Sequence, residues 1–131
     1  MNSEKFLLSH IQKILNDDSI YVTPNVYSVF DYYNTSKIKK INCELKCRNI
    51  NSDTYKTTMI SNHKIRHCSN PDTDYYFFFQ FKDNIVKYIK YDKNLFNTFE
   101  KDFGGRCDRG KIEKSVYYYI PIDKCDTYII D

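Results

Sequence analysis

Hydrophobic positions first recur three and four residues apart. Leu7, Ile11, Ile14 and Leu15 form an apolar stripe, so an amphipathic helix is predicted from Ser3, which can cap it, to about Asn16, with Glu4 in its first turn. From Ile20 to Tyr33 the period shortens and β-branched and aromatic residues dominate, with Pro24 and Asn25 splitting the run into two strand-like pieces. A polar turn, Asn34 to Lys37, precedes the cleanest pattern in the chain, INCELKCRNI at residues 41–50. Ile41, Cys43, Leu45 and Cys47 share one parity and Asn42, Glu44, Lys46 and Arg48 the other, so an extended strand buries one face and turns charged groups toward a surface or cleft.

Beyond Asn49 a turn leads into a predicted short helix from about Thr57 to Cys68, on which Met59 or Ile60, His63 or Lys64, and His67 share a side; it ends before Pro71. YYFFFQFKD (75–83) and IVKYIKYD (85–92) read as two strands of a tight hairpin around Asp83 and Asn84. LFNTFEKDF reads as a loop or helical stretch leading to the three glycines, and SVYYYIPID (115–123) as a last strand. The order is helix, three strands, helix, two strands, a loop region and a strand: a mixed α/β or α+β sandwich in which the middle helix serves as a crossover joining the strands of the 40s and the 70s in parallel.

Length and composition narrow this further. One domain spanning residues 1–131 is expected, and the aromatic content, with 13 Tyr and 9 Phe, supplies core material that a disordered chain lacks. A net charge of +3 gives only a weak general pull on polyanions, so a nucleic-acid site has to be a local patch. Five cysteines without a CxxC pair fit neither a disulfide framework nor a zinc ribbon and point to a reducing compartment. The charged N-terminus does not read as a signal peptide, and nowhere do about 18 apolar residues run together. An intracellular protein, cytoplasmic or nuclear, with no membrane partner is the expectation.

The chemistry gathers at Glu44. Same-face neighbours on a strand lie roughly 6.5 to 7 Å apart, so Glu44 and Lys46 can reach one small ligand. The tripeptide alone is weak: with 4 Glu and 16 Lys in 131 residues, chance supplies about half a Glu-x-Lys per chain. Its setting adds weight, because Arg48 extends the polar face and Asp31 closes the neighbouring strand in VYSVFDYY. Two carboxylates on adjacent strands can bind one Mg²⁺ while water fills the remaining positions, a chemically reasonable phosphodiesterase site. The bland alternative is an exposed ion pair worth at most about 1 kcal/mol.

An Asp at a strand end followed by Glu-x-Lys on the next strand, within this order of elements, resembles the PD-(D/E)XK nuclease superfamily. The run ELKCRNINSDTYKTTMISNHKI, then YYFFFQFKDN, GGRCDRGK and YYYIPI, is similar to small members from large DNA viruses and phages, and the likeness covers about Phe30 to Ile122. Phe30 departs from the motif by standing where its name has proline. The resemblance implies a restriction-endonuclease-like mixed sheet flanked by helices, with a helix-strand-strand-strand-helix-strand core. It further implies DNA as partner and Mg²⁺ (or Mn²⁺) held by Asp31, Glu44 and the Leu45 carbonyl. Lys46 would orient or deprotonate the attacking water, Lys64 would contact phosphate, and Glu4 is a candidate for a water-mediated metal contact. Cutting both strands of a duplex would call for a homodimer. The competing classes are a noncatalytic nucleic-acid-binding or assembly module that retains the fold, and a structural viral or host-interaction protein.

Other constellations carry less. GRCDRGKI (105–112) has Gly105, Gly110 and Lys111 at phosphate-loop offsets, but Ile112 replaces the hydroxyl that magnesium needs, and a strand is expected to follow. Arg106, Arg109, Lys111 and Lys114 form instead a basic loop suited to nucleic-acid backbone. His63, His67 and Cys68 lack the glutamate and the second ligand pair of a zinc site. Cys43 and Cys47 are expected as small core residues. Gln80 is expected to share the Glu44 cleft if the two strands are adjacent.

Overall fold

The computed structural model describes residues 2–106 and 113–131, without the side chains of residues 2, 104–106 and 113–115. Helix α1 (Asn2–Leu15) carries the predicted stripe, with Leu7 and Ile11 fully buried. It begins one residue before Ser3, which therefore lies in the first turn and is not its cap. At its end Asn16 takes a left-handed backbone (φ 52°). The N–H of Asn16 returns to Lys13 O at 3.3 Å and that of Asp17 to Gln12 O at 3.0 Å, which satisfies carbonyls the helix leaves open.

Six strands form the main sheet in the order β1 (Tyr21–Val22), β2 (Tyr32–Tyr33), β3 (Lys40–Arg48), β5 (Thr73–Phe81), β6 (Ile85–Lys90) and β9 (Asp126–Ile129). Only β3 and β5 run parallel, Glu44 facing Phe77 and Cys47 facing Gln80. The expected crossover is therefore present, but its composition differs. Residues 57–68 split into a strand, β4 (Thr57–Ser61), and a five-residue helix, α2 (Asn62–Arg66), capped by the Ser61 hydroxyl on Lys64 N. Thr58 and Ile60 alternate inward, and β4 pairs antiparallel with β8 (Glu113–Pro121). Beyond α3 (Lys93–Phe96), Glu100–Arg106 forms strand β7, paired along β8, where a loop was expected. The second sheet has the order β4-β8-β7.

Parity sends β5 into two cores at once. Phe78 packs with Leu7, Ile11, Tyr32, Cys43 and Leu45 under α1. Phe77, Phe79 and Phe81 point the other way, against Ile60, Ile65, Phe96, Tyr118 and Ile120 of the second layer. A strand covered on both faces reads as a continuous aromatic run, which explains YYFFFQF. Asn84 (φ 64°) turns the β5–β6 hairpin, and its carbonyl accepts Ile130 N–H at 2.9 Å, which fastens the C-terminal strand missing from the sequence reading. The result is a mixed α+β, restriction-endonuclease-like fold. No helix among the described residues is long and apolar enough to cross a membrane.

Phe78→Ala should lower unfolding free energy by about 3–5 kcal/mol, since it removes a fully buried ring. Phe103→Ala, at an exposed position of β7, should change it by less than about 0.5 kcal/mol. Urea denaturation of the two variants checks both.

Candidate active site

The register of β2 on β3 sets Tyr33 opposite Asn42 and Tyr32 opposite Cys43, so the next residue back, Asp31, lies beside Glu44. There the ladder buckles. Asp31 N–H bonds Cys43 O at 2.9 Å, and the Asp31 carboxylate accepts Leu45 N–H at 2.8 Å, continuing the ladder with a side chain. A strand residue exchanges both its N–H and its carbonyl with the same neighbour, so the Leu45 carbonyl is directed to that edge too.

Glu44 shares the face of Phe77, which the second layer covers, and is only 4 % exposed. On the polar parity of β3 only Glu44 is buried; Asn42, Lys46 and Arg48 keep partial exposure, where a surface or cleft was expected. Two ammonium groups enclose the carboxylate: Lys46 Nζ lies 3.4 Å from Oε2 and Lys64 Nζ 3.3 Å from Oε1. The 3.3 Å Lys64 contact is an ion pair at the margin of hydrogen-bond geometry, and buried Oε1 has no other polar partner among the described residues. Lys64 also donates to Val29 O and lies 6.0 Å from the Phe30 ring centre. Burial, then the charge of Asp31, pushes the Glu44 carboxyl up from 4.5 to about 7, although Lys64 and Lys46 pull it down.

The remaining candidates separate into three groups. Glu4 and Asp31 line one cavity of about 440 Å³ under the loop Thr23–Phe30, and Tyr32 donates its hydroxyl proton to Glu4 O at 2.7 Å. Arg48 turns inward: Nη2 donates to Met59 O at 2.5 Å, Nε to Thr58 Oγ1 at 3.3 Å, and the guanidinium lies 5.7 Å from the centre of Phe79. Gln80 is a correction. It faces Cys47, whose thiol donates to its Oε1 at 3.9 Å, and this parity lies on the α1 side of the sheet, away from Glu44. Cys47 is a second correction, for it is exposed while Cys43 is buried. Of the basic loop, Arg109 and Lys111 lie outside the described residues, as do the side chains of Arg106 and Lys114. Just past α2, His67 Nδ1 is 2.8 Å from His63 O, and burial pushes the Cys68 thiol up to about 12.

The seat of Lys64 on Val29 and Phe30 was not foreseen, because it joins residues 35 apart through a main-chain carbonyl that carries no side-chain signal. For a cation, the chain offers two carboxylates and one carbonyl, all hard oxygen donors, with Lys64 the one polar partner of Glu44 Oε1 among the described residues. Among the described residues no group of three or more His, Cys, Asp and Glu converges. A set with few protein ligands suits Mg²⁺ or Mn²⁺, which keep waters or phosphate oxygens in the other positions. The donor set fits such an ion, provided an ammonium moves aside.

A carboxylate pair on an interior strand of a mixed sheet and the segment beside it, with lysine two residues beyond the second acid, is the arrangement of the PD-(D/E)XK superfamily. Residues 3–127 match the protein family described as "Phage putative PDDEXK endonuclease", and the chain belongs to that family. A comparison with curated proteins found no match.

Because the native state holds a proton on Glu44 up to about pH 7 that the unfolded chain releases near 4.5, this group favours folding below 4.5 and loses that contribution as pH rises through 7. In EDTA, wild type should therefore lose stability relative to Glu44→Gln between pH 5 and pH 8, on the order of 2 kcal/mol. Parallel urea curves at the two pH values would rule out the buried, proton-holding carboxyl.

Proposed function

We propose that the chain is a metal-dependent nuclease that hydrolyses DNA phosphodiester bonds. The observation that carries this reading is the convergence of Asp31 with a buried Glu44 that has two ammonium groups alongside, Lys64 being the one polar partner of Oε1 among the described residues. Membership of the family supports it. Asp31, Glu44 and the Leu45 carbonyl would hold Mg²⁺ or Mn²⁺. Bound there, the ion would neutralise charge on the phosphoryl oxygens and lower the pKa of the attacking water.

The chain's own groups do the rest. Lys46 is the more mobile cation, its side chain 38 % exposed against 19 % for Lys64, so it can leave Glu44 Oε2 and donate to a non-bridging phosphate oxygen or to the attacking water. Lys64, anchored by Val29 O, offsets the Glu44 charge and faces the same phosphate. Water attacks phosphorus as the P–O bond to the leaving oxygen breaks; the water's proton passes to bulk solvent, and the leaving oxygen takes a proton from the Lys46 ammonium or from solvent. Two copies of the chain would present two such sites to opposite strands.

A second reading has its own observation. Glu44 is already neutralised by two lysines and nearly closed to solvent, which suits a noncatalytic DNA-binding module that keeps the fold. Plasmid nicking separates the two. With Mg²⁺ or Mn²⁺, wild type should nick supercoiled DNA, EDTA should abolish nicking, and Asp31→Ala, Glu44→Ala and Lys46→Ala should each slow it about 100-fold or more. Cutting that survives the Glu44 and Lys46 substitutions removes the site; DNA binding without any cutting establishes the module.

A further inference from the structure

Beyond Lys46 the same face of β3 leads to a second feature that the hydrolytic chemistry does not use. Arg48, four residues past Glu44, forms one wall of a cavity of about 350 Å³ at the seam between the two sheets. Ile50, Tyr55, Met59, Phe81 and Tyr119 complete most of the lining. The volume lies in the range of small-molecule sites, roughly 300–1,000 Å³. Its walls are aromatic and thioether surfaces, with a single partly buried cation among them.

The chemistry of that lining selects its occupant. Arg48 is fixed by Nε on Thr58 and Nη2 on Met59, and Nη1 makes no hydrogen bond among the described residues. A guanidinium lining a cavity with aromatic walls suits a flat π-surface bearing acceptor atoms on its rim, which describes a nucleobase. A purely aliphatic ligand would leave the cation without an acceptor. Position adds the second argument. Four strand residues span about 13 Å, and Lys46, partly exposed, projects midway on the same face, so a phosphodiester chain whose phosphate reaches Lys46 passes within a few nucleotides of the cavity. At about 3.4 Å per stacked nucleotide this is some four nucleotides, fewer if the strand is unstacked.

We propose that this cavity is a nucleobase pocket, in which one unstacked base of the bound strand sits between Tyr55 and Tyr119 with its edge on Arg48. The proposal rests on the nucleic-acid part of the reading above and deepens it, since it commits the substrate to carry at least one base out of the stack near the cut. Tyr55 is the residue to change, being 65 % exposed and so removable without unfolding the chain.

The test uses two fluorescein-labelled probes of equal charge, a single-stranded thymidine dodecamer and an abasic dodecamer, titrated with the full chain in EDTA so that nothing is cut. Wild type should bind the base-bearing probe about tenfold more tightly. Tyr55→Ala should shrink that margin below about threefold without changing affinity for the abasic probe, and Tyr55→Phe should restore it. Photo-crosslinking of a 5-iodouracil probe should map to peptides containing Tyr55 or Tyr119. Equal affinity of wild type for both probes, or a margin untouched by Tyr55→Ala with crosslinks elsewhere, overturns the pocket. The two readings fail separately: plasmid nicking without a margin keeps the nuclease and loses the pocket, a margin without nicking does the reverse, and no binding to either probe overturns the pocket together with nucleic-acid recognition.

Discussion

A carboxylate taken out of water in the middle of a sheet has to be held by other charges, and the arrangement of this protein follows from how Glu44 is held. Its position opposite Phe77 places it under the second layer, where solvent cannot screen it. Asp31 next to it makes matters worse, adding a like charge. Lys46 and Lys64 offset both, one from the same strand and one from the crossover. Removing one partner of such a cluster would leave an uncompensated buried charge, which costs several times what an exposed pair contributes. The cluster is therefore a constraint on the fold as well as a candidate site.

The crossover is shaped by that requirement. A long helix between β3 and β5 would carry Lys64 along a rod packed on the sheet. Instead β4 joins the second sheet through β8, and the single turn of α2 starts at a Ser61 cap and directs Lys64 back to Glu44 and the Val29 carbonyl. The same contact ties the loop before Asp31 to the crossover, while the Asp31 carboxylate itself is held by Leu45 N–H. A divalent cation entering here would have to compete with ammonium groups already in place. Lys46 is the more exposed of the two.

Much of the site was legible because a strand's parity can be read from one short window. The alternation in INCELKCRNI separates Leu45 from Glu44 and Lys46; VYSVFDYY was expected as a strand closed by Asp31, whereas residues 26–31 lie outside any strand and Asp31 comes just before β2, whose pairing with β3 still sets it beside Glu44. Parity alone misassigned two residues. Gln80 looked like a polar partner for Glu44, but the parallel register pairs it with Cys47 on the α1 side, and Cys47 lies past the reach of the core that buries Cys43. TTMIS was misread as helix because apolar residues in a short segment satisfy both periods. EKDFGGR was missed because its glycines and charges have little strand preference of their own; β8, far along the chain, supplies the ladder that makes both into strands.

The sequence by itself determined the opening helix, the alternation of β3 and the hairpin of β5 and β6, since each is encoded by neighbours a few residues apart. Tertiary structure decided that Glu44 is buried, that Lys64 reaches it, and that Arg48 turns into an aromatic seam. Those outcomes depend on which layer packs on which face. That choice is made by the summed burial of Phe77, Phe79, Phe81, Ile60 and Tyr118 across the whole chain, and no local pattern carries it.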